Sequence, residues 1–231
     1  MRTLGLIGGT TWVSTVDYYK YINKLTTEKL GGLNSAKILL YSVKFSEVKA
    51  LADASDWKTL GEFMSGIAQN LEKGGAEAIV LCANTMHIVA ETVQEKTSIP
   101  LIHITDATAK AILAQNLKKV ALLGTRFTME NDFYHKRLAD YGIETIIPND
   151  EERDFVHWSI FEELGKDIFT AETKQKYLEL IEKLNERGAE GVILGCTEIP
   201  MLIKPEDCPI PSFDTTILHC QAAVEFVLKE I

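Results

Sequence analysis

The 231-residue sequence contains no C-x-x-C pair, no block of lysines and arginines, no low-complexity stretch and no apolar run near the ~18 residues of a membrane span. Each absence removes a class. Without closely spaced ligand pairs, Cys82, Cys196, Cys208 and Cys220 do not read as a structural zinc set, and no metal is expected. Met1-Arg2-Thr3 runs straight into an apolar strand pattern rather than a cleavable signal, so the expected address is the cytoplasm, where disulfide frameworks are rare. Acidic residues outnumber basic ones 33 to 24, a net charge of -9 that opposes phosphate neutralisation, so neither nucleic acid nor membrane is an expected partner. What remains is ordinary for a folded protein. With 46% hydrophobic and 25% charged residues, the chain can bury one large core or two domains of about 100 residues each.

Strand and helix patterns alternate throughout, which predicts an α/β fold. Thr3-Leu4-Gly5-Leu6-Ile7-Gly8-Gly9 reads as a strand and glycine turn. The helix that follows has a capping-box-like start at Ser14-Thr15-Val16-Asp17 and a stripe of Val16, Tyr19, Ile22 and Leu25. Residues 37–43 form a second strand, and Leu60, Phe63, Met64, Ile67 and Leu71 a helical stripe ending at Gly74-Gly75. A third strand leads to Cys82, and residues 99–104 read as a fourth, with Pro100 near its start. The second half repeats this order: strands at 120–125 and 143–147, a stripe of Tyr177, Leu180, Ile181 and Leu184, a strand leading to Cys196, a weaker strand at 209–213 and a terminal helix from Thr215.

The repeat is closest around the two thiols. Gly75-Ala76-Glu77-Ala78-Ile79-Val80-Leu81 precedes Cys82-Ala83-Asn84-Thr85, and Gly188-Ala189-Glu190-Gly191-Val192-Ile193-Leu194 precedes Gly195-Cys196-Thr197-Glu198. One loop carries a single extra residue before its thiol. The pattern is that of a duplicated α/β unit. Thiols at the C-terminal ends of buried parallel strands lie where open α/β sheets place their chemistry. A lone cysteine there is ordinarily a small buried hydrophobe, but two at matching strand ends point to two-sided proton transfer. The positive end of a following helix is expected to lower each thiol's pKa toward neutrality.

Other residues have competing readings. Gly5-Leu6-Ile7-Gly8-Gly9-Thr10 lacks the spacing of either dinucleotide or phosphate-loop motifs, leaving a carboxylate-binding turn or a simple tight turn. Asn84, Thr85 and Thr197 can donate to a ligand or cap helices. His87 and Glu198 can orient the thiols or serve ordinary capping roles. Cys208 and Cys220 read as packing residues, Trp12, Tyr18, Tyr19 and Tyr21 as core, and the charges around Glu151-Glu152-Arg153-Asp154 as a solvated face.

Taken together, Gly5-Leu6-Ile7-Gly8-Gly9 with Trp12, Ser14 and Thr15, Cys82-Ala83-Asn84-Thr85-Met86-His87, Leu123-Gly124-Thr125 with Phe127-Thr128-Met129, Glu162-Glu163-Leu164-Gly165 and Gly195-Cys196-Thr197-Glu198-Ile199 resemble the cofactor-independent aspartate/glutamate racemase family along essentially the whole chain. The resemblance implies two pseudo-symmetric α/β domains, each a four-stranded parallel sheet flanked by helices, with the active site in the interdomain cleft. The domains would be residues 1–104 plus 214–231, carrying Cys82, and 105–213, carrying Cys196. It implies racemisation of an acidic amino acid, with one cysteine as thiolate base and the other as thiol acid. Aspartate is the preferred substrate, with glutamate or a broader range open. Thr10, Asn84, Thr85, Thr125, Thr128, Lys166 and Thr197 would contact substrate, and His87 and Glu198 would support the thiols. No pyridoxal phosphate or other cofactor is expected, and the family allows a homodimer. The chain departs from the family in reading Thr10-Thr11-Trp12-Val13 where relatives have methionine-serine-tryptophan-glutamate. It also has no arginine in residues 43–49, where Lys44 or Lys49 would have to substitute. Rival readings are a hydantoin racemase, decarboxylase or maleate isomerase of the same superfamily, an amino-acid-binding relative without turnover, and a redox dithiol.

Overall fold

The computed structural model describes residues 1–229. Two compact units are formed, one from Met1–Ile104 with the chain from His219, the other from Thr105–Leu218. The second unit ends later than the expected residue 213, because Leu218 packs on the core built from Ala109, Ile112 and Phe213.

In the first unit, Thr3–Gly8 (β1) lies between Lys37–Ser42 (β2) and Ala78–Leu81 (β3), all parallel, with Gly5 opposite both Leu39 and Ile79. Alternation along the strands builds a layer on each face. Leu4, Leu6, Ala78 and Val80 pack with Tyr18 and Ile22 of the helix Trp12–Leu30 and with Ala223, Val224 and Val227 of the helix Thr215–Leu228. Ile7, Ile79 and Leu81 meet Leu60, Met64, Ile67 and Leu71 of the helix Trp57–Lys73, the predicted stripe. Cutting a core side chain such as Met64 to alanine costs about 2–5 kcal/mol.

In the second unit the order is Glu144–Ile146 (β5), Lys119–Leu123 (β4), Gly191–Leu194 (β6) and Ser212–Asp214 (β7), with numbering by chain position and every neighbour parallel. Ala121, Leu123, Val192 and Leu194 pack under Tyr177, Leu180, Ile181 and Leu184 of the helix Ala171–Glu186. Val120, Leu122 and Ile193 face Ala109 and Ile112 of the helix Ile104–Ala114 and Tyr134 and Leu138 of Asp132–Ala139.

Two expectations are corrected. The first sheet has three strands rather than four, since residues 99–104 contribute only a bridge at Leu101, flanked by Ile79 N–H to the Pro100 carbonyl and Ile102 N–H to the Ile79 carbonyl, both 2.9 Å. Helix then begins at Ile104 and ends the ladder. The first helix starts at Trp12, capped by Thr11, and buries Ser14, Thr15, Tyr18, Ile22 and Thr26. Val16 and Tyr19 are exposed instead, as is Trp12, at 71%. The buried threonines satisfy their hydroxyls on their own helix: Thr15 Oγ1 donates to the Thr11 carbonyl (2.9 Å) and Thr26 Oγ1 to that of Ile22 (2.7 Å). No helix among the described residues is long and apolar enough to cross a membrane.

Candidate active site

Cys82 extends β3 by one step. Its N–H donates to the Ile7 carbonyl at 2.9 Å, and its side chain joins the Ala78 and Val80 face, fully buried beside Tyr18 and Cys220. In β6 the same ladder position is taken by Gly195, whose N–H donates to the Leu123 carbonyl at 2.6 Å. A Cβ on Gly195 would lie 2.8 Å from that carbonyl oxygen. The extra residue has a structural consequence, because one step along an extended chain reverses the side-chain face. Cys196 therefore packs toward the layer of Val192 and Leu194, the counterpart of the layer opposite to that holding Cys82.

The glycine turn before the first helix is closed from within. Gly9, at φ +88°, donates its N–H to Thr15 Oγ1 at 2.8 Å, and a Cβ on Gly8 would lie 2.4 Å from Thr15 Cγ2. That N–H is committed to Thr15, which disfavours a phosphate cradle. Ser14 Oγ donates to the Cys82 carbonyl at 3.3 Å, so the helix start and the thiol turn are tied together. Beside them Thr10 is buried and its Oγ1 has no hydrogen-bond partner. A buried orphan hydroxyl at a strand end fits a ligand group.

After Cys82, Asn84 is buried and Thr85 opens a single 3₁₀ turn, Thr85–Val89. His87 is buried within it. The Ile104 N–H points at His87 Nε2 from 3.2 Å, so the imidazole proton resides on Nδ1, which donates to the Ala83 carbonyl at 3.0 Å.

In the second unit Cys196 Sγ donates to Glu198 Oε2 at 2.8 Å, and Thr197 Oγ1 donates to the same oxygen at 2.7 Å. Glu198 is buried. Thr125 caps the short helix Arg126–Glu130 through the Thr128 N–H, and Thr128 lies against Gly124 and near Gly195. Thus Thr125, Thr128, Thr197 and Glu198 gather around the Cys196 turn. Lys166 ends the 3₁₀ turn Leu164–Lys166. It is exposed and paired with Glu162 at 2.6 Å. Sequence reasoning missed one support of the turn, Thr215, whose hydroxyl donates to the Leu194 carbonyl at 3.1 Å. Buried Tyr177, in the core cluster against which Cys196 packs, is bonded to Ser159 at 2.9 Å. Tyr177 was visible only as a core position.

The expected lowering of the thiol pKa values is overturned. Burial pushes the Cys82 thiol far up, and burial together with the Glu198 carboxylate raises Cys196 well above the ordinary thiol range. Magnitudes explain the sign. The turns after the thiols, Thr85–Val89 and Ile199–Leu202, have five and four residues, and a helix end contributes about 0.3–1 kcal/mol, whereas full burial moves a pKa by ~3–5 units. Both thiols are therefore protonated at neutral pH. The Cys196–Glu198 pair holds one transferable proton, and moving it from sulfur to carboxylate leaves the net charge of the part-buried pair unchanged.

Comparison with known proteins agrees with this architecture. A Yersinia pestis protein solved as a candidate Asp/Glu racemase is 46% identical, with a TM-score of 0.94 over 99% of this chain and 100% of that one. An aspartate racemase homologue from Pyrococcus horikoshii OT3 is 37% identical, with a TM-score of 0.88 over 98% and 99%. The broad specificity amino-acid racemase RacX of Bacillus subtilis is 28% identical over 161 residues, 70% of this chain and 69% of that protein. Residues 7–223 match the Asp/Glu/hydantoin racemase family, and the chain belongs to that family.

Proposed function

We propose that the protein racemises an acidic amino acid, preferring aspartate, by cofactor-independent two-base proton transfer between Cys82 and Cys196. Family membership supports amino-acid racemase activity. The observation that carries the thiol chemistry is the 2.8 Å contact from Cys196 Sγ to Glu198 Oε2. Glu198 takes the thiol proton, the Cys196 thiolate removes the α-proton from one face, and Cys82, a neutral thiol, delivers its own proton to the other. That turnover ends with Cys82 as a thiolate and a proton on Glu198; in the reverse direction this thiolate removes the α-proton, the Cys196 thiol delivers its own, and the Glu198 proton returns to Cys196. Removing a weakly acidic proton requires donors aimed at the developing carboxylate charge, each ~1.4 kcal/mol being tenfold in rate. The Thr10 hydroxyl suits that role, with Asn84, Thr85, Thr197, Thr125 and Thr128 as further contacts.

A broader substrate range is favoured by a second observation. Lys44, at the start of the helix Phe45–Asp53 that follows β2, and Lys49, within it, are exposed and paired with Glu47 (3.2 Å) and Asp53 (2.6 Å). A solvated lysine already facing a carboxylate adds only about 0–1 kcal/mol to recognition of another. Aspartate is then preferred over a neutral side chain of equal size by no more than about tenfold in kcat/KM.

The test is incubation of pure L- and D-aspartate, glutamate and several neutral amino acids in deuterated water, following optical rotation and α-deuterium uptake. Cys82→Ala and Cys196→Ala should each abolish net racemisation while one-sided α-proton exchange survives. Racemisation by either variant at the wild-type rate sinks the two-base reading. Tight retention of an amino acid without exchange would indicate a binding protein, and activity that persists under strong reductant excludes an obligatory Cys82–Cys196 disulfide cycle.

A further inference from the structure

Within the first unit three imidazoles lie buried around one short segment. The ring centroids of His87 and His103 are 4.6 Å apart, and those of His87 and His219 are 5.4 Å apart. His219 Nε2 donates to the Ile102 carbonyl at 2.6 Å, and its Nδ1 faces the Tyr18 hydroxyl at 2.8 Å. His87 receives the Ile104 N–H on Nε2 and donates from Nδ1 to the Ala83 carbonyl. Residues 102–104 are thus gripped from both sides. His219 fixes the segment to the first helix through Tyr18, and His87 fixes its end to the backbone immediately after Cys82.

We propose that His87 is a positioning residue for Cys82, its neutral Nδ1–H tautomer holding the Cys82-Ala83-Asn84 turn against the Ile102–Ile104 segment. The proposal rests on the racemase reading for its catalytic consequence. It does not rest on it for the geometry. An imidazolium would place an N–H against the Ile104 N–H, and the neighbouring His103 and His219 rings oppose a positive charge. The ring is therefore held neutral by its surroundings, and burial keeps its pKa well below the ordinary imidazole value. A residue that only filled space would not need a donor and an acceptor on opposite sides of the ring.

Asparagine and glutamine separate the two bonds. An asparagine amide N–H can occupy the Nδ1 position and keep the bond to Ala83, whereas glutamine reaches the Nε2 position and keeps only the acceptor for Ile104. Two enantiomers of equal free energy lock the two directions of kcat/KM together, so the readout is α-deuterium wash-in with retention, measured on each pure enantiomer. The enantiomer served by Cys82 is the one whose exchange survives in Cys196→Ala. His87→Gln should slow exchange of that enantiomer about tenfold, the scale of one buried hydrogen bond, and leave the other within about twofold. His87→Asn should stay near wild type for both. The second readout is iodoacetamide alkylation of Cys82, followed by peptide mass mapping, which should accelerate about tenfold in His87→Gln and little in His87→Asn. Equal loss of exchange for both enantiomers, or equal alkylation rates in the two variants, overturns the proposal. If the wild-type protein exchanges no α-proton, the racemase reading fails while the alkylation comparison still decides whether His87 holds the turn.

Discussion

Glu198 is the side chain on which the proposed chemistry turns. Burial raises the pKa of Cys196 most and the Glu198 carboxylate lifts it further by repelling a thiolate, yet that carboxylate is also the acceptor to which the thiol proton can go. These two effects separate in Glu198→Gln. The thiol should ionise at lower pH, read by thiolate absorbance and by alkylation of Cys196, while turnover falls about 10²–10³-fold for want of a proton acceptor. Turnover that rises together with thiolate content would assign Glu198 an inhibitory role instead. At this scale the sequence was informative about identity and poor about state. Cys82, Cys196, His87 and Glu198 are legible from their motif positions, but the direction of the thiol pKa shifts was not. Burial is a sum over neighbours that arrive from Trp12–Leu30 and Thr215–Leu228, distant in the chain.

Among the elements, the turns that end β1 and β6 carry the tightest constraints. A methyl group on Gly195 meets the Leu123 carbonyl, which is backbone and cannot swing away. Gly195→Ala should therefore cost about 1–3 kcal/mol in denaturant unfolding and shift the Cys196 turn, with racemisation falling by at least tenfold. An unchanged unfolding midpoint would show that the turn has slack. Gly8→Ala meets the Thr15 side chain instead and should show a stability loss of similar size. The stripes of Trp57–Lys73 and Ala171–Glu186 were legible because apolar residues mark their buried faces. The face of Trp12–Leu30 was not, since Ser14, Thr15 and Thr26 are buried with their hydroxyls bonded locally, and Trp12, Val16 and Tyr19 stay outside. Polar residues that satisfy themselves are invisible to a pattern that counts only apolar ones.

For the whole molecule, buried titrating groups set limits to stability on both sides of neutrality. His87 stays neutral in the fold but takes up a proton near pH 6.5 when unfolded, so the unfolded chain binds more protons below that value. Stability should fall as pH drops below about 6.5, by up to ~1.4 kcal/mol per pH unit from this residue, with His103, His219 and Tyr18 the groups around it. His87→Asn should flatten that acid limb in a series of denaturant titrations; an identical limb would place the effect elsewhere. On the alkaline side Cys82 and Cys196 ionise in the unfolded chain above about pH 8.5 and resist ionisation in the fold, so stability declines again as pH rises.

The sequence by itself determined the α/β class, the duplicated unit and the two thiols at strand ends. Those features are written in local periodicity and in a repeated motif, which need no knowledge of neighbours. Tertiary structure alone decided that the first sheet stops at three strands and that burial, with the Glu198 carboxylate adding to it, outweighs a helix end in holding the Cys196 proton. It also brought His87 and His219 to the same short segment. The strand count, the burial of the thiols and the histidine pairing depend on contacts between residues far apart in the chain, where burial outweighs local preference; the Cys196–Glu198 bond spans only two residues, and distant packing sets its surroundings.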